Sequence, residues 1–584
     1  MQTEEFYQGI AFDAYDTLGA HPAGPRRGWD FCVFAPHAGR VQVLGDWNGW
    51  NLYRAVELAR GADGLWRARA PRARAGQLYK YNILGADNRW RLRADPYAFA
   101  FEPLPGTASR LVDERFAFTD DNWRARRPDP DAPLAIYELH AGGWRRHPDG
   151  RYYRYAELAH DLIPWLQTRH YTHVEFLPLA EHPFDGSWGY QGTGYFAPTA
   201  RFGSPADFAA LVNALHRAGI GVLMDFVPVH FAVDEGFLAA FDGEPLYEYP
   251  GEAGRSAWGS LNFDLGRGEV RSFLLSAAAF WVYRMHCDGL RVDAIGHALY
   301  RPGGEWQAAE FFKTLTAGLH ARCPGVTLIA EDSAGCLNAT TPTDRGGLGF
   351  DYKWGLGWSH DTLAFFSAPF DARPALYPAL ARSMDGFFAD KTLNAVSHDD
   401  NTWQTGTPMD RLAGSYDQKF AQARLLYLYL YTRPGKKLDF MGGELGQFRP
   451  FDADRALDWA LLTYPAHLDF ANYRAALGGL YAAHPALHCQ EYDPACYAWI
   501  VNTDPENGVL AWLRMARGEV LLCLLNTGAV PLAGYRLDLS QLCRELTLRP
   551  LFATAPEGLG QARTQCGYAA FDLPALFGQV FEVL

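Results

Sequence analysis

Three carboxylates stand at the ends of strongly apolar runs: Asp225 in GVLMDFVPVH, Asp293 in GLRVDAI and Glu331 in VTLIAED. A carboxylate in such a place must be solvated, paired or functional, because burying a lone charge is costly. His140, His230, Arg291, His398 and Asp399 lie beside or after similar runs. Arg291 and Asp293 are two residues apart, so on a strand they share one face. An arginine beside a carboxylate keeps it ionised and fixed in orientation, which suits a nucleophile. The same pair would also serve as a buried ion pair closing a barrel. Glu331 is the candidate acid, a role that needs a proton near pH 7 and hence an apolar or negatively charged setting. SHDD supplies His398 and Asp399, although so short a string taken alone reads more readily as a turn or helix cap. Two carboxylates flanking a glycosidic bond are standard for glycoside chemistry, and a separation of about 5 Å gives retention through a covalent intermediate. A third would bind sugar hydroxyls and help distort the ring.

The elements that must position these residues show as an alternation. Strand-like runs LAIYELH, THVEFLPL, GVLMDFVPVH, GLRVDAI, VTLIAE, GLGFDYKW, LNAVSHDD and KLDFMGGE are separated by helix-like patterns such as SPADFAALVNALHRAGI and EVRSFLLSAAAFWVYRMH. In the first pattern Ser204 and Asp207 open a helix and Gly219 ends it. Alternating strand and helix over about 350 residues means a parallel sheet, and eight strands suggest a closed (β/α)₈ barrel of class α/β. A doubly wound open sheet is the alternative, but no GxGxxG follows the first strand. In a barrel, the polar residues at strand ends gather on the C-terminal face. Short alternating runs before the barrel (WDFCVFAP, RVQVLGDW, LWRARA, LYKYNIL) suggest a β-sandwich. CYAWIVN, GVLAWLRM and EVLLCLLNT suggest β structure after it. The boundaries expected are a leader over 1–27, a β-sandwich over 28–115, the barrel over 116–487 and a C-terminal all-β sandwich domain over 488–584, with RARRPDPDAP as a linker.

Composition narrows the partners. The 584 residues carry 53 basic and 66 acidic side chains, a net charge of −13, with no basic block, which argues against nucleic acid. A neutral polymer is not repelled by such a surface. The nine cysteines form no CxxC pair, and the N-terminus lacks a signal-peptide core, so reduced thiols in a cytoplasmic protein are expected. SFLLSAAAFWVY and ARLLYLYLY are too short to span a bilayer and suit buried helices. No membrane partner and a monomer are expected. Aromatics reach 15%. Large cores consume aromatics, but Trp47 and Trp50 in LGDWNGW, and Trp188 and Tyr190 in GSWGYQ, lie in Gly-rich, turn-like settings where sugar contact or groove shaping is the more natural role.

DFVPVH, GLRVDAI, AED and SHDD, in that order, resemble the four signature regions of the α-amylase superfamily of glycoside hydrolases. HPFDGSWGYQGTGYFAPTARFGSPADF, GIGVLMDFVPVHF, FDGEPLYEY and PGKKLDFMGGELGQF resemble more narrowly the 1,4-α-glucan branching enzyme family, as do LGDWNGW and ADPYA in the sandwich, which looks like a carbohydrate-binding-type module. The resemblance implies a glycosyltransferase-type transglycosidase of glycogen biosynthesis. It implies Asp293 as nucleophile, Glu331 as general acid/base and Asp399 as transition-state stabiliser. Asp225, His230, Arg291 and His398 would line the subsite at the cleavage point, with Tyr190 stacked on the sugar. The implied partner is an α-1,4-glucan, and no cofactor or metal is called for, since acid–base and nucleophilic steps suffice.

The sequence departs from the family in several places. Many members carry a further N-terminal β-module, whereas this chain begins almost directly at a sandwich. The fourth region is usually followed by Glu, where Asp400 and Asn401 stand, so acceptor-side contacts are expected to differ. GHALYRPGGEWQAAEFF is shorter than in many relatives. Val229 stands where many α-amylases have a calcium-ligating Asn, and a hydrocarbon cannot ligate a hard cation. Two other functions share these features. A debranching or trehalose-releasing hydrolase would carry the same carboxylates but use water as acceptor. A non-catalytic glucan-binding protein would be signalled by a lost carboxylate, and all three are present.

Overall fold

The computed structural model describes residues 1–113, 115–125, 129–384, 387–542, 545–555 and 560–584. Residues 126–128 of the expected linker lie outside the described residues. Eight strands form a closed barrel in chain order: β1 (Ala135–Leu139), β2 (His173–Phe176), β3 (Gly221–Phe226), β4 (Gly289–Val292), β5 (Thr327–Ala330), β6 (Tyr352–Trp354), β7 (Thr392–Val396) and β8 (Lys436–Phe440). Each coincides, to within one residue at its start, with part of one of the eight apolar runs read from the sequence. These strands are buried on both faces, which is why they read as continuous apolar runs rather than alternating ones.

The longer helices of the barrel region are α1 (Tyr155–Thr168), α2 (Pro205–Arg217), α3 (Gly268–Tyr283), α4 (Glu305–Arg322), α5 (Leu356–Ser367), α6 (Tyr416–Thr432) and α7 (Pro465–Ala483). Ser204 caps α2 as its spacing predicts: its Oγ accepts from Asp207 N at 3.2 Å, and Asp207 Oδ2 accepts from Ser204 N at 2.8 Å. Gly219 follows the helix at φ +81°, a conformation that favours glycine. SFLLSAAAFWVY and ARLLYLYLY are the buried stretches of α3 and α6. Among the described residues, no helix is long and apolar enough to cross a membrane.

The chain divides into two compact units. The first comprises Met1–Arg127, His140–Asp161 and Glu175–Asp351. It contains the parallel trio β3–β4–β5 and two antiparallel N-terminal sheets. One sheet runs Gly19–Pro22, Trp29–Phe34, Leu65–Ala70, Ala59–Arg60; the other runs Val56–Glu57, Arg40–Gly45, Leu78–Leu84, Trp90–Arg93. Phe31 of one meets Tyr79 of the other edge-on at 5.3 Å.

Residues 1–27 are structured rather than a loose leader. Thr3–Gln8 is helical, and Gly19–Pro22 is the edge strand of the first sheet. Ser272 Oγ in α3 donates to Phe6 O at 2.8 Å, and Ser276 Oγ accepts from Ala14 N at 3.0 Å. Gly318 in α4 admits Phe12, since a Cβ there would lie 2.1 Å from its ring. Pieces this short have no readable periodicity, and tertiary contacts hold them.

The second unit comprises Pro128–Leu139, Leu162–Val174 and Tyr352–Leu584. It contains β6, β7, β8 and β1 paired in parallel, then a five-stranded and a three-stranded sheet after residue 496. Leu513, Leu522, Leu524, Phe571 and Phe581 pack between those sheets. Lys436 of β8 is buried against Glu491 at 2.9 Å and donates to Pro130 O and Ala132 O at 2.8 and 2.9 Å.

A buried charge cluster ties the segment before the barrel to the N-terminal ends of its strands. His216 of α2 lies between Asp120 (Nδ1, 2.7 Å) and Asp288 (Nε2, 2.9 Å), under the Trp123 ring at 5.3 Å. His286 also contacts Asp120, at 2.9 Å. Burial works against a charged His216, but the hydrogen bonds and charges of Asp288 and Asp120 outweigh it and raise its pKa. Burial likewise opposes ionised Asp120, yet the two histidines lower its pKa. The His216 contribution to stability is therefore present below about pH 6.5 and lost as pH rises through the raised value; the Asp120 contribution is lost only below about pH 4. His216→Gln should lower the thermal midpoint by about 2–4 °C at pH 6 and by less at pH 9. An equal loss at both pH values would refute the charged bridge.

Candidate active site

Register decides where the first polar residues meet. Asp225 pairs with Arg291 across β3 and β4, and Val292 pairs with Ala330 across β4 and β5. Asp293 and Glu331 are the next residues on their strands, so they emerge at the same level. Arg291 Nη1 donates to Asp225 at 2.9 and 3.0 Å and to Asp293 Oδ1 at 2.6 Å, while Nη2 lies 3.7 Å from Glu331 Oε2. Arg291 is 1% exposed, Asp225 3%, Glu331 7% and Asp293 8%. Burial opposes the charged guanidinium, but its acidic neighbours, Asp225 above all, outweigh this and raise the Arg291 pKa well above its ordinary value.

The other groups fix orientation. Tyr190 OH donates to Asp225 Oδ2 at 2.5 Å, with the Arg291 guanidinium 5.8 Å from its ring. Ala294 N donates to Glu331 Oε2 at 2.7 Å, which aims that carboxyl. His230 Nε2 is 3.9 Å from Asp293 Oδ2, and its Nδ1 is 3.0 Å from Ser260 Oγ. Burial lowers the His230 pKa, so the ring is neutral near pH 7 and offers a hydrogen bond rather than a charge. Tyr190, Asp225, His230, Arg291, Asp293 and Glu331 thus form one cluster in the first unit.

His398 and Asp399 follow β7 in the second unit. His398 N and Nδ1 meet Glu138 Oε2 and Oε1 at 2.8 and 2.5 Å, and His398 Nε2 is 3.4 Å from Asp399 Oδ1. The Asp399 side chain is 62% exposed. SHDD is also a turn: Ser397 Oγ accepts from Asp399 N at 3.3 Å, and Asp400 Oδ2 accepts from Ser397 N at 3.1 Å. Asp400, which stands where the family usually has Glu, caps this turn, and burial pushes its pKa up to about 6.

The remaining candidates are more scattered. His140 follows β1 and is half-buried, and desolvation of its ring pulls its pKa down to about 3. Trp188 sits at φ +54° beside Tyr190 and is partly exposed. Trp47 and Trp50 lie in the N-terminal sheets' loop. Trp47 packs on Phe31 at 5.6 Å, a core contact, while Trp50 Nε1 donates to Asp46 at 2.8 Å. Glu138 was missed, although a lone Glu inside LAIYELH is a signal of pairing. Ser260, Trp258 and His297 were missed because nothing local marks them.

Residues 17–98 match the family model of carbohydrate-binding module 48, described as the isoamylase N-terminal domain. Over 536 residues the chain is 40% identical to the 1,4-alpha-glucan branching enzyme GlgB of Bacillus caldolyticus, covering 89% of this chain and 80% of the relative. The GlgB of Pseudomonas aeruginosa is 43% identical over 533 residues, covering 88% and 73%. The chain belongs to the 1,4-alpha-glucan branching enzyme family. Pullulanase from Paenibacillus barengoltzii shares the fold of this branching-enzyme family member, with a TM-score of 0.76 at 19% identity, covering 97% of this chain and 94% of that one.

In this branching-enzyme chain the Arg291 cluster carries both stability and site geometry. Arg291→Ala should cost about 3–5 kcal/mol, because it leaves Asp225 and Asp293 buried without their cation. The urea midpoint at pH 7 reads this, and a loss below about 1 kcal/mol would show that the carboxylates do not depend on it.

Proposed function

We propose that the protein cuts α-1,4-glucan chains and rejoins the cut segment through an α-1,6 bond, with Asp293, Glu331 and Asp399 as its working carboxylates. Asp293 attacks C1 of a glucose unit, and the bond from C1 to the leaving oxygen breaks as Glu331 protonates that oxygen. The cut segment stays attached as a glycosyl ester of Asp293. Glu331, now a carboxylate, takes the proton from a 6-hydroxyl of an acceptor chain. That oxygen attacks C1, and the Asp293 carboxylate leaves. Two displacements at one carbon retain configuration.

The observation that carries this reading is the Arg291 cluster. One guanidinium fixes Asp293 Oδ1 at 2.6 Å and reaches toward Glu331, whose orientation the neighbouring Ala294 amide sets. The nucleophile and the acid/base are thereby both held in place. Tyr190 supplies an aromatic face beside Asp225, and neutral His230 supplies a hydrogen bond for a sugar hydroxyl. Asp399 and His398 follow β7 as Asp293 follows β4, and family resemblance gives them transition-state stabilisation and hydroxyl binding.

The acceptor must compete with water. Oriented reactants reach effective molarities of order 10⁵ M or more, which suffices if a bound sugar waits at the ester. We also place the enzyme in the cytoplasm as a monomer with a neutral glucan as partner; the eight described cysteines form no disulfide with one another, in keeping with a reducing compartment.

Incubation with amylose tests the reaction. Iodine colour should fall while reducing ends stay nearly constant, and a debranching enzyme should then release short chains. A rise in reducing ends that tracks the colour loss would mean a hydrolase, and no change in either would mean a binding protein. Asp293→Ala should retain less than about a thousandth of the wild-type rate while still folding, as judged by its circular dichroism at 25 °C. A higher rate would overturn its role as nucleophile.

A further inference from the structure

Trp258 is the feature that the mechanism leaves unused. It is 49% exposed, although it stands within a few side chains of the nucleophile. Its ring lies 4.9 Å from the His230 imidazole and 4.5 Å from that of His297. A large aromatic face left half in water on a well-held turn marks a contact surface rather than a core residue.

The turn is well held. Ser256 Oγ accepts from Trp258 N and from Ser260 N, both at 3.1 Å, and meets Ser260 Oγ at 2.5 Å. Ser260 Oγ then reaches His230 Nδ1 at 3.0 Å. Leu261–Asn262 pairs antiparallel with His230–Phe231. Gln191, next to Tyr190 in the chain, donates to Trp258 O at 3.3 Å. The indole thus lies against His230 and is bonded through its backbone to Gln191, the neighbour of Tyr190, while His297 on its other contact lies within the field of Asp293.

The two oxygens of Asp293 face different flanks. Oδ1 faces Arg291, which also bears Asp225 and the Tyr190 ring. Oδ2 faces His230, with Trp258 beyond it. If the cleaved sugar rests on Tyr190 and His230, the exposed indole next to His230 is placed for the neighbouring sugar, which is the leaving chain before cleavage and the acceptor after it. Both imidazoles against Trp258 have lowered pKa values through burial, so the shelf is uncharged near pH 7 and suits a neutral ring.

We propose that Trp258 is a specificity-determining residue whose exposed indole face holds the acceptor glucan beside the Asp293 ester, and so sets how the intermediate divides between sugar and water. This rests on the function proposed above. An acceptor stacked there is oriented for attack and covers the flank through which water would enter. Without it, more ester is hydrolysed.

The test uses the full chain as wild type, Trp258→Ala and Trp258→Phe, with amylose as donor and a labelled malto-oligosaccharide as added acceptor. New α-1,6 branches and new reducing ends are counted together. Trp258→Ala should raise the ratio of hydrolysis to transfer by about tenfold and raise the acceptor KM by about as much, the scale of a lost aromatic contact. Trp258→Phe, which keeps a flat face, should restore most of both. A wild-type-like ratio in Trp258→Ala would overturn the proposal, as would a loss of donor affinity with an unchanged ratio. If Trp258→Ala does not fold, Trp258→Phe alone decides: a two- to threefold shift in ratio supports the role and none refutes it. Wild-type protein that releases reducing ends without making branches would overturn the function itself, whereas normal branching with an unchanged Trp258→Ala ratio would overturn only the role of Trp258.

Discussion

One guanidinium holds the centre of this molecule. Arg291 is almost fully buried and bonds carboxylates from its own strand and from the neighbouring one. Taking such ions from water costs several kcal/mol each, and only close pairing offsets it. The pairing in turn requires that β3 and β4 keep one register, with Asp225 opposite Arg291. A slip by one residue would turn Asp225 to the other face and leave the cation buried with half its partners. The barrel supplies that rigidity, since parallel strands hydrogen-bonded on both sides cannot slide singly. The cluster therefore depends on the fold, and local fold accuracy depends on the cluster.

The same economy recurs in the second unit. His398 is bonded twice to Glu138 of β1. Asp439 of β8 accepts from Arg474 at 2.5 Å, Tyr431 at 2.9 Å and Tyr171 at 3.2 Å. Lys436 closes on Glu491. Each buried charge fixes one strand to a neighbouring element. Only some of these charges have chemistry to do. Asp399, by contrast, is largely exposed just past the end of its strand.

Much of this was legible in the chain. The barrel strands are apolar runs of the length that a sheet buried on both faces requires, and Ser204, Asp207 and Gly219 bound α2 by local chemistry alone. Asp225, Arg291, Asp293 and Glu331 were visible as charges ending such runs. What was not legible is what distance in sequence hides. Glu138 meets His398 across 260 positions, and Ser260 meets His230 across 30. Residues 1–27 have no period because α3 and α4 hold them. SHDD showed the limit from the other side: it is both the turn that its short polar string suggests and the bearer of His398 and Asp399.

Backbone geometry carries the last link between Asp293 and Glu331. Ala294, directly after Asp293, sits at φ +49°, a conformation that costs a non-glycine residue about 1–3 kcal/mol. Its surroundings over-determine it. Its own N–H is taken by Glu331 Oε2, and the next amide, Ile295 N, is taken by Glu331 O at 3.0 Å. Asp293 N donates to Phe226 O at 3.0 Å, so the residue before the strained one is fixed as well. Gly296 then lies so close to Asp332 that a Cβ would sit 2.3 Å from its Oδ1. The left-handed residue turns the chain sharply enough for two successive amides to meet the one glutamate. Asp293 and Glu331 are thereby joined by backbone hydrogen bonds as well as by Arg291, and a carboxyl anchored from two directions is held in one orientation without further ordering.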